Sequence, residues 1–116
     1  MKVIIAGGRD FDKGQVAIDA ILEFQDTYGK ITEIVCGMAK GADMMGLNYG
    51  RIWEIPVKEF PANWDLHGKA AGPIRNSEMA NSADGLIAFW DGKSRGTKNM
   101  IDNAKLKGLK IMVIKY

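Results

Sequence analysis

Three glycine-rich segments carry the residue pattern in this sequence that points most directly to chemistry. Glycine supplies 14 of the 116 residues, where an average chain of this length holds about 8. Six of the 14 lie in residues 7–10, 37–43 and 91–97, each of which follows an apolar run and precedes a segment of helical spacing. Glycine lets the backbone approach an anion closely, and the first N–H groups of a helix have no intrahelical acceptor. The three segments therefore predict phosphate binding.

Basic side chains lie in or beside the same segments, namely Arg9, Lys40, Lys93, Arg95 and Lys98. The whole chain has a formal charge of only +2, so these residues form a local concentration of positive charge. One glycine turn alone is better explained as a tight strand-to-helix connection. Three such turns with basic residues favour an anion site.

The glycine spacing excludes the two commonest nucleotide motifs. None of the three segments is a GxGxxG fingerprint, and residues 37–43 lack the Gly-Lys-Ser/Thr ending of a Walker A sequence. Conventional dinucleotide dehydrogenases and P-loop NTPases are therefore disfavoured, and a phosphate-bearing nucleotide or nucleotide sugar is favoured. We predict no metal site, because His67 is the single histidine and no Cys/His spacing suggests zinc.

A fourth segment, residues 71–79, supplies candidate catalytic side chains. Arg75 and Glu78 are three residues apart and so lie on one face of a helix. Arg75 could clamp a phosphate or ribose, and Glu78 could orient a sugar hydroxyl or act as a general acid or base. A surface ion pair explains Glu78 equally well, whereas the functional interpretation is favoured for Arg75. Asp10 and Asp43 each stand at a predicted helix start, where capping is the first interpretation.

The apolar periodicity predicts the elements that position these residues. Strands are expected over residues 2–6, 31–36, 56–60, 84–90 and 110–115, and helices over residues 12–28, 42–52, 73–82 and 97–107. Asp12 is the expected N-cap of the first helix and Gly29 its end, and residues 61–72 are expected to form a crossing loop. Strands alternating with helices predict an α/β fold, a Rossmann-like doubly wound parallel sheet of order 3-2-1-4-5 in a single domain over residues 1–116. The carboxyl ends of its strands, and hence the glycine loops, would share one edge.

Composition narrows the remaining classes. Hydrophobic residues make up 47% and charged residues 26% of the chain, which is typical of a folded globular protein. No apolar run approaches the ~18 residues of a membrane span, and we expect neither a leader peptide nor a membrane partner. The single Cys36 is expected to be a buried apolar side chain, in keeping with a reducing, cytoplasmic location. The small net charge makes nucleic acid an unlikely partner.

Two tryptophans flank the predicted site. Trp90 ends the fourth predicted strand and could stack on a nucleobase or simply cover the sheet edge. Trp64, in the crossing loop, is expected to be a packing anchor.

Four of these motifs together resemble a known family. They are Gly7-Gly8-Arg9-Asp10-Phe11, Gly37-x-Ala39-x-Gly41-Ala42-Asp43, Ala71-Gly72-Pro73-Ile74-Arg75-Asn76 and Gly96-Thr97. Along nearly the whole chain the sequence resembles the YspA-type branch of the SLOG superfamily, which is named for the Smf/DprA and Lonely Guy (LOG) proteins. The resemblance implies a Rossmann-like domain that binds nucleotide-derived ligands such as relatives of NAD or ADP-ribose, and it implies homo-oligomer formation. Because Asp10 and Asp43 belong to the motifs of this family, the resemblance also implies binding of a ribose hydroxyl as a second interpretation of these two residues. The ligand-binding residues expected from motifs and resemblance are Gly7, Gly8, Arg9, Asp10, Gly37, Ala39, Gly41, Ala42, Asp43, Gly72, Pro73, Arg75, Asn76, Trp90, Gly96 and Thr97.

The resemblance to LOG-type phosphoribohydrolases is incomplete at one position. Gly96-Thr97 matches the Gly-Thr of their Pro-Gly-Gly-x-Gly-Thr-x-x-Glu motif, but Met100 stands where the catalytic Glu would be. Arg75 could correspond to their catalytic Arg, and Glu78 or Asp43 could supply the missing carboxylate. Cleavage of an N-glycosidic bond in nucleoside monophosphates or NAD relatives is thus one alternative to simple binding. DprA-like binding of single-stranded DNA is another.

Overall fold

The computed structural model describes residues 1–116 and shows a parallel five-stranded sheet with helices on both faces. The strands are β1 (Lys2–Gly7), β2 (Glu33–Cys36), β3 (Val57–Glu59), β4 (Gly85–Trp90) and β5 (Lys110–Lys115). The helices are α1 (Gly14–Tyr28), α2 (Ala42–Ile52), α3 (Trp64–His67), α4 (Ala71–Asn81) and α5 (Arg95–Leu106), with a 3₁₀ turn at Gly68–Ala70. The sheet order is β3-β2-β1-β4-β5, which confirms the predicted fold class and topology.

The central strands β1 and β4 are buried on both faces, as their uninterrupted apolar sequences predict. Ile5 of β1 pairs with Ile87 of β4, and the same register places Gly7 beside Phe89 at the carboxyl end. One core layer packs α1 and α2 against the sheet through residues such as Phe24. The other packs α4 and α5 through residues such as Met79. Two buried layers thus hold the strand ends, and the loops that follow them, in a defined register.

Several element boundaries differ from the predictions for local reasons. Helix α1 begins at Gly14, and Lys13 is its N-cap, so Asp12 does not cap it. Helix α5 begins two residues early, at Arg95, because the Ser94 Oγ accepts a hydrogen bond from the Thr97 N–H at 3.3 Å and caps the helix. The predicted crossing loop contains α3, the 3₁₀ turn and the first residues of α4.

The predicted ends of α1 and α5 are confirmed. Gly29 follows α1 with φ +122°, and Gly108 follows α5 with φ +72°, conformations that glycine adopts without strain. None of the helices combines the length and apolar character needed to cross a membrane.

The glycine loop after β1 and the one before α2 are in direct backbone contact. The Gly8 carbonyl accepts hydrogen bonds from the N–H groups of Phe11, at 3.2 Å, and Ala42, at 3.3 Å. Gly41 has φ +76° and ψ −123°, and a Cβ atom at this position would overlap the Gly8 carbonyl oxygen. Glycine is therefore required at position 41 both by conformation and by space.

We expect Gly41→Ala to lower the free energy of unfolding by about 2 kcal/mol or more, because it combines a disfavoured φ with a backbone overlap. Gly14→Ala is the matched control, since a Cβ there meets no atom within 4 Å. Urea unfolding of both variants measures the difference. Equal stability of the two variants would contradict the close approach of the two loops.

Candidate functional site

A cavity of about 590 Å³ opens at the carboxyl edge of the sheet, between the loop after β1, the start of α2 and the N-terminal parts of α4 and α5. Its lining comprises Ala6, Gly7, Gly8, Arg9, Asp10, Ala39, Asp43, Trp64, Gly72, Pro73, Arg75, Asn76, Met79, Asp91, Ser94, Arg95, Gly96, Thr97, Asn99 and Met100. We call this the main cavity. The four motifs singled out in the sequence all contribute to its wall.

Most of the predicted ligand-binding residues are brought together here. Twelve of them line the main cavity: Gly7, Gly8, Arg9, Asp10, Ala39, Asp43, Gly72, Pro73, Arg75, Asn76, Gly96 and Thr97. Gly37 lines a neighbouring side cavity of about 440 Å³, which shares Arg9, Ala39, Trp64 and Arg75 with the main one. Gly41 and Ala42 lie behind the wall, where they contact the Gly8 backbone.

The structure does not place Glu78 or Trp90 at the cavity. Glu78 is exposed on α4 and is absent from the lining of both cavities. Trp90 is half-buried, its Nε1–H donates to the Ser94 carbonyl at 3.1 Å, and the Lys115 Nζ lies 5.0 Å from its ring centroid. Of the two alternatives for Trp90, the geometry fits the one in which it covers the sheet edge.

Arg75 and Asn76 tie three loops together at the floor of the cavity. The Arg75 Nη1 donates to the Gly37 carbonyl at 2.5 Å, and its Nε donates to the Asn76 Oδ1 at 3.0 Å. The Asn76 Nδ2 in turn donates to the Gly96 carbonyl at 3.3 Å and to the Asn99 Oδ1 at 3.0 Å. Part of the Arg75 guanidinium is thus committed to positioning the loop after β2. Asn99, which no sequence motif indicated, completes this network from α5.

Asp43 is a buried carboxyl group in the cavity wall, with only 4% of its surface exposed. Burial raises its pKa to about 6, and the Ala39 and Gly7 amides and the Arg75 guanidinium offset this only in part. Its Oδ2 accepts the Ala39 N–H at 3.3 Å. The N-cap of α2 is Gly41, which makes no side-chain capping bond, so the interpretation of Asp43 as a cap is wrong.

Asp10 is likewise not a helix cap, because its partner is the aromatic side chain of Tyr116. The Tyr116 hydroxyl donates to the Asp10 Oδ1 at 2.6 Å, and its ring meets Phe11 edge-on, 5.0 Å between centroids. Burial and the neighbouring Asp10 carboxylate raise the pKa of Tyr116, so the hydroxyl stays protonated and keeps donating. A Cβ atom at position 8 would overlap that hydroxyl, so Gly8 leaves room for this contact. This contact holds the loop that carries Arg9.

The backbone donors available to an anion are fewer than the sequence suggests. The Gly8 N–H donates to the Phe89 carbonyl at 3.1 Å, and the Ala39 and Ala42 N–H groups are also occupied by protein acceptors. At the start of α5 the Thr97 N–H is taken by its cap, but the first N–H groups of a helix, here those of Arg95 and Gly96, have no intrahelical acceptor. The Gly8, Ala39 and Ala42 amides are therefore not available to a ligand, whereas the Arg9 and Asp10 amides after β1, the Lys40 and Gly41 amides before α2 and the first α5 amides have no protein acceptor.

The charge in the main cavity is balanced rather than basic. Its wall holds three arginines, Arg9, Arg75 and Arg95, and three aspartates, Asp10, Asp43 and Asp91. Asp91 accepts the Lys93 and Ser94 N–H groups at 2.8 Å each, and these bonds lower its pKa.

Two arginines in this wall remain free. The side chains of Arg9 and Arg95 are exposed and make neither a hydrogen bond nor an ion pair within the chain. Lys93 and Lys98 lie outside the cavity, and Lys98 pairs with Asp102 at 3.0 Å. Of the five basic residues predicted at this edge, Arg9 and Arg95 thus line the main cavity beside Arg75, and Lys40 lines the side cavity.

Met100 and Trp64 both line the main cavity, but the sequence motifs pointed only to Met100. Met100, at the position where the resemblance to LOG-type enzymes would place a Glu, is 1% exposed and forms an apolar part of the cavity wall. Trp64 packs near Gly72, as an anchor would, but it also lines both cavities. Its segment has no regular apolar period, so no sequence signal distinguished this position.

The buried Cys36, whose pKa is raised to about 11 by burial, remains a neutral thiol as expected.

Comparison with solved structures identifies a related fold. The X-ray structure of DNA processing protein A (DprA) from Streptococcus pneumoniae matches with a TM-score of 0.75 over 99% of this chain, at 18% identity. The chain spans 50% of that protein. At this level of identity the match shows a shared fold.

Sequence comparisons are more specific. The Gene 61 protein of Mycobacterium phage D29 is 31% identical over 121 residues, covering 96% of this chain and 94% of that protein. Residues 1–67, which include β1, β2 and the first two glycine loops, match the family described as YspA, cpYpsA-related SLOG. On these grounds the chain belongs to the YspA, cpYpsA-related SLOG family.

Proposed function

We propose that this protein binds a nucleotide or nucleotide-derived ligand in the main cavity. One observation carries the proposal: two unpaired arginines, Arg9 and Arg95, and the open amides at the start of α5 face the same cavity as the buried Asp43. The guanidinium groups and amides suit phosphate, and a carboxylate suits the hydroxyl groups of a ribose. A balanced set of arginines and aspartates matches a ligand that is both anionic and rich in hydroxyl groups.

The size of the cavity agrees with a small ligand. Sites for small molecules and cofactors usually have volumes of about 300–1,000 Å³, and the main cavity has about 590 Å³. In this proposal Arg95 and the α5 amides hold a phosphate group, Arg9 closes over it from the loop after β1, and Arg75 keeps the loop after β2 in place. Nucleoside monophosphates and ADP-ribose-type molecules are the ligand classes to test first.

A strand of nucleic acid is a less favoured occupant. Membership of the SLOG family and the DprA-like fold suggest nucleotide or nucleic-acid ligands, but the cavity lacks the excess positive charge that binds a polyanionic backbone. The two kinds of ligand differ in salt response, since affinity for a DNA strand falls steeply with salt when several phosphates are contacted. A (dT) oligonucleotide titrated at low and high salt distinguishes them.

We expect AMP or ADP-ribose to raise the thermal unfolding temperature of the wild-type protein, because a ligand that binds only the folded state stabilises it. Arg95→Gln should weaken binding about tenfold, which corresponds to the loss of one charge-assisted hydrogen bond of about 1.5 kcal/mol. Lys93→Gln is the matched control, because it removes the same charge from the same loop but outside the cavity. Isothermal titration calorimetry measures both variants.

Two results would count against this site. If no nucleotide stabilises the wild-type protein at millimolar concentration, the ligand class is wrong. If Lys93→Gln weakens binding as much as Arg95→Gln, the effect is a general one of surface charge and the cavity is not the binding site.

Asp43 favours a second candidate function, hydrolysis of the N-glycosidic bond of such a ligand. A carboxyl group with a pKa of about 6 exchanges its proton readily near neutral pH and can serve as a general acid or base. As an acid, Asp43 would protonate the departing base while water adds to the anomeric carbon, and the water's proton would return to the carboxylate. Among the carboxylates proposed for this role, Asp43 faces the cavity whereas Glu78 does not.

Activity would appear as free base after incubation of the protein with AMP or NAD, measured by liquid chromatography. In this second function Asp43→Asn abolishes base release, whereas Glu78→Gln and the exposed Asp19→Asn leave it unchanged. Absence of free base with the wild-type protein, at ligand concentrations that saturate binding, would identify a binding protein without this activity.

The same carboxyl group predicts a pH dependence of stability. The folded protein holds the Asp43 proton more tightly than the unfolded chain does, since burial raises the pKa from 3.8 to about 6. The contribution of Asp43 to stability is thus fully present below about pH 4 and is lost as the pH rises through 6. The loss is up to about 3 kcal/mol, for a shift of about two units at 1.36 kcal/mol each.

Asp43→Asn removes this component of the pH dependence, while Asp19→Asn preserves it. Urea unfolding at pH 4.5, 6 and 7.5 measures the slope for the wild-type protein and both variants. If the free energy of unfolding changes equally with pH in the wild-type protein and in Asp43→Asn, burial does not raise the pKa of Asp43.

A further inference from the structure

Trp64 lies where the main cavity and the side cavity meet. It lines both of them, together with Arg9, Ala39 and Arg75, and 52% of its surface is exposed. It is the one aromatic residue in the lining of either cavity. The indole therefore borders the same space as two guanidinium groups.

The chain holds this indole in place from two sides. The Asn63 Oδ1 accepts the Leu66 N–H at 3.1 Å and caps the short helix α3, which begins at Trp64. On the other side is Gly72 of α4, where an added Cβ would lie 3.5 Å from the Trp64 Cη2. The indole thus lies close to the start of α4, where an alanine at position 72 would make ordinary van der Waals contact with it.

The other exposed tryptophan provides a contrast. Trp53 is 65% exposed and follows α2, where its ring lies 6.1 Å from that of Tyr49. It lines neither cavity. Trp64 thus combines a large accessible aromatic surface with a position inside a concave site.

We propose that Trp64 is the stacking platform for the nucleobase of the ligand, so that the site selects nucleotides over base-free sugar phosphates. The inference rests on the proposed function, because it assumes that phosphate and ribose occupy the main cavity. Aromatic side chains bind the faces of bases through stacking, and adjacent arginines add attraction for the phosphate attached to the same nucleoside. A base on Trp64 leaves its sugar and phosphate in the main cavity, whose wall also holds Arg9 and Arg95.

The test compares ligands with and without a base. Calorimetry gives the dissociation constants of AMP, ADP-ribose and ribose 5-phosphate. Fluorescence spectroscopy gives the quenching of tryptophan emission by each ligand. The variants are Trp64→Ala and Trp64→Phe, with Trp53→Phe as the matched control. Thermal unfolding verifies that each variant is folded. We expect all of them to fold, because both tryptophans are exposed.

We expect the wild-type protein to bind AMP or ADP-ribose at least fivefold more tightly than ribose 5-phosphate, with quenching by the base-bearing ligand. Trp64→Ala should weaken binding of that ligand about tenfold and leave ribose 5-phosphate unchanged, in the range found when stacking residues are replaced by alanine. Trp64→Phe should retain most of the affinity and lose most of the quenching. Trp53→Phe should alter neither the affinity for the ligand nor the quenching of tryptophan fluorescence that the ligand causes.

Failure of the stacking role can be separated from failure of the site. Equal affinity of the wild-type protein for ribose 5-phosphate and the base-bearing ligands, or unchanged affinity in Trp64→Ala, overturns the stacking role and leaves phosphate binding intact. If the wild-type protein binds none of the three probes, both the stacking role and the proposed function fall.

Discussion

The contact between the Gly8 carbonyl and the start of α2 is the constraint on which the geometry of the candidate site depends. That carbonyl accepts the N–H groups of Phe11 and Ala42 and lies against Gly41, which has no side chain to keep it away. The loops after β1 and β2 are therefore joined backbone to backbone. Arg9 lies in the first of these loops and Asp43 lies just after the second, at the start of α2. The contact between the loops therefore brings both residues to the same cavity.

The floor of the cavity is held by a second set of bonds with a different origin. Arg75 and Asn76 connect the loop after β2 to α4 and α5 through hydrogen bonds to the Gly37 and Gly96 carbonyls. Buried polar side chains with satisfied hydrogen bonds fix relative positions of elements more specifically than apolar packing does. The cost is that much of the local hydrogen-bonding capacity is consumed internally, while the side chains of Arg9 and Arg95 and the first α5 amides are among the groups that stay free.

The candidate site contains a carboxyl group, that of Asp43, whose buried surroundings disfavour its ionised form. Asp43 is almost fully buried, and nearby amides and Arg75 compensate only partly for the lost hydration. Perturbed titratable groups in a cavity are common at functional sites. Asp43 has such a perturbed pKa and lies in the wall of the main cavity, where Met100 contributes an apolar surface.

Periodicity and glycine position in the sequence alone determined the α/β class, the sheet order and the edge at which the loops gather, because apolar runs and right-handed crossovers leave few arrangements. The presence of Arg9, Asp43 and Arg75 at this edge followed from that topology. Only the tertiary structure decided which groups are free, because an amide's partner, such as Phe89 for Gly8, can come from anywhere along the chain. It also decided that Trp64 faces the cavity while Trp90 and Glu78 do not. Side-chain exposure at the site is a property of packing between distant segments, which local sequence patterns do not encode.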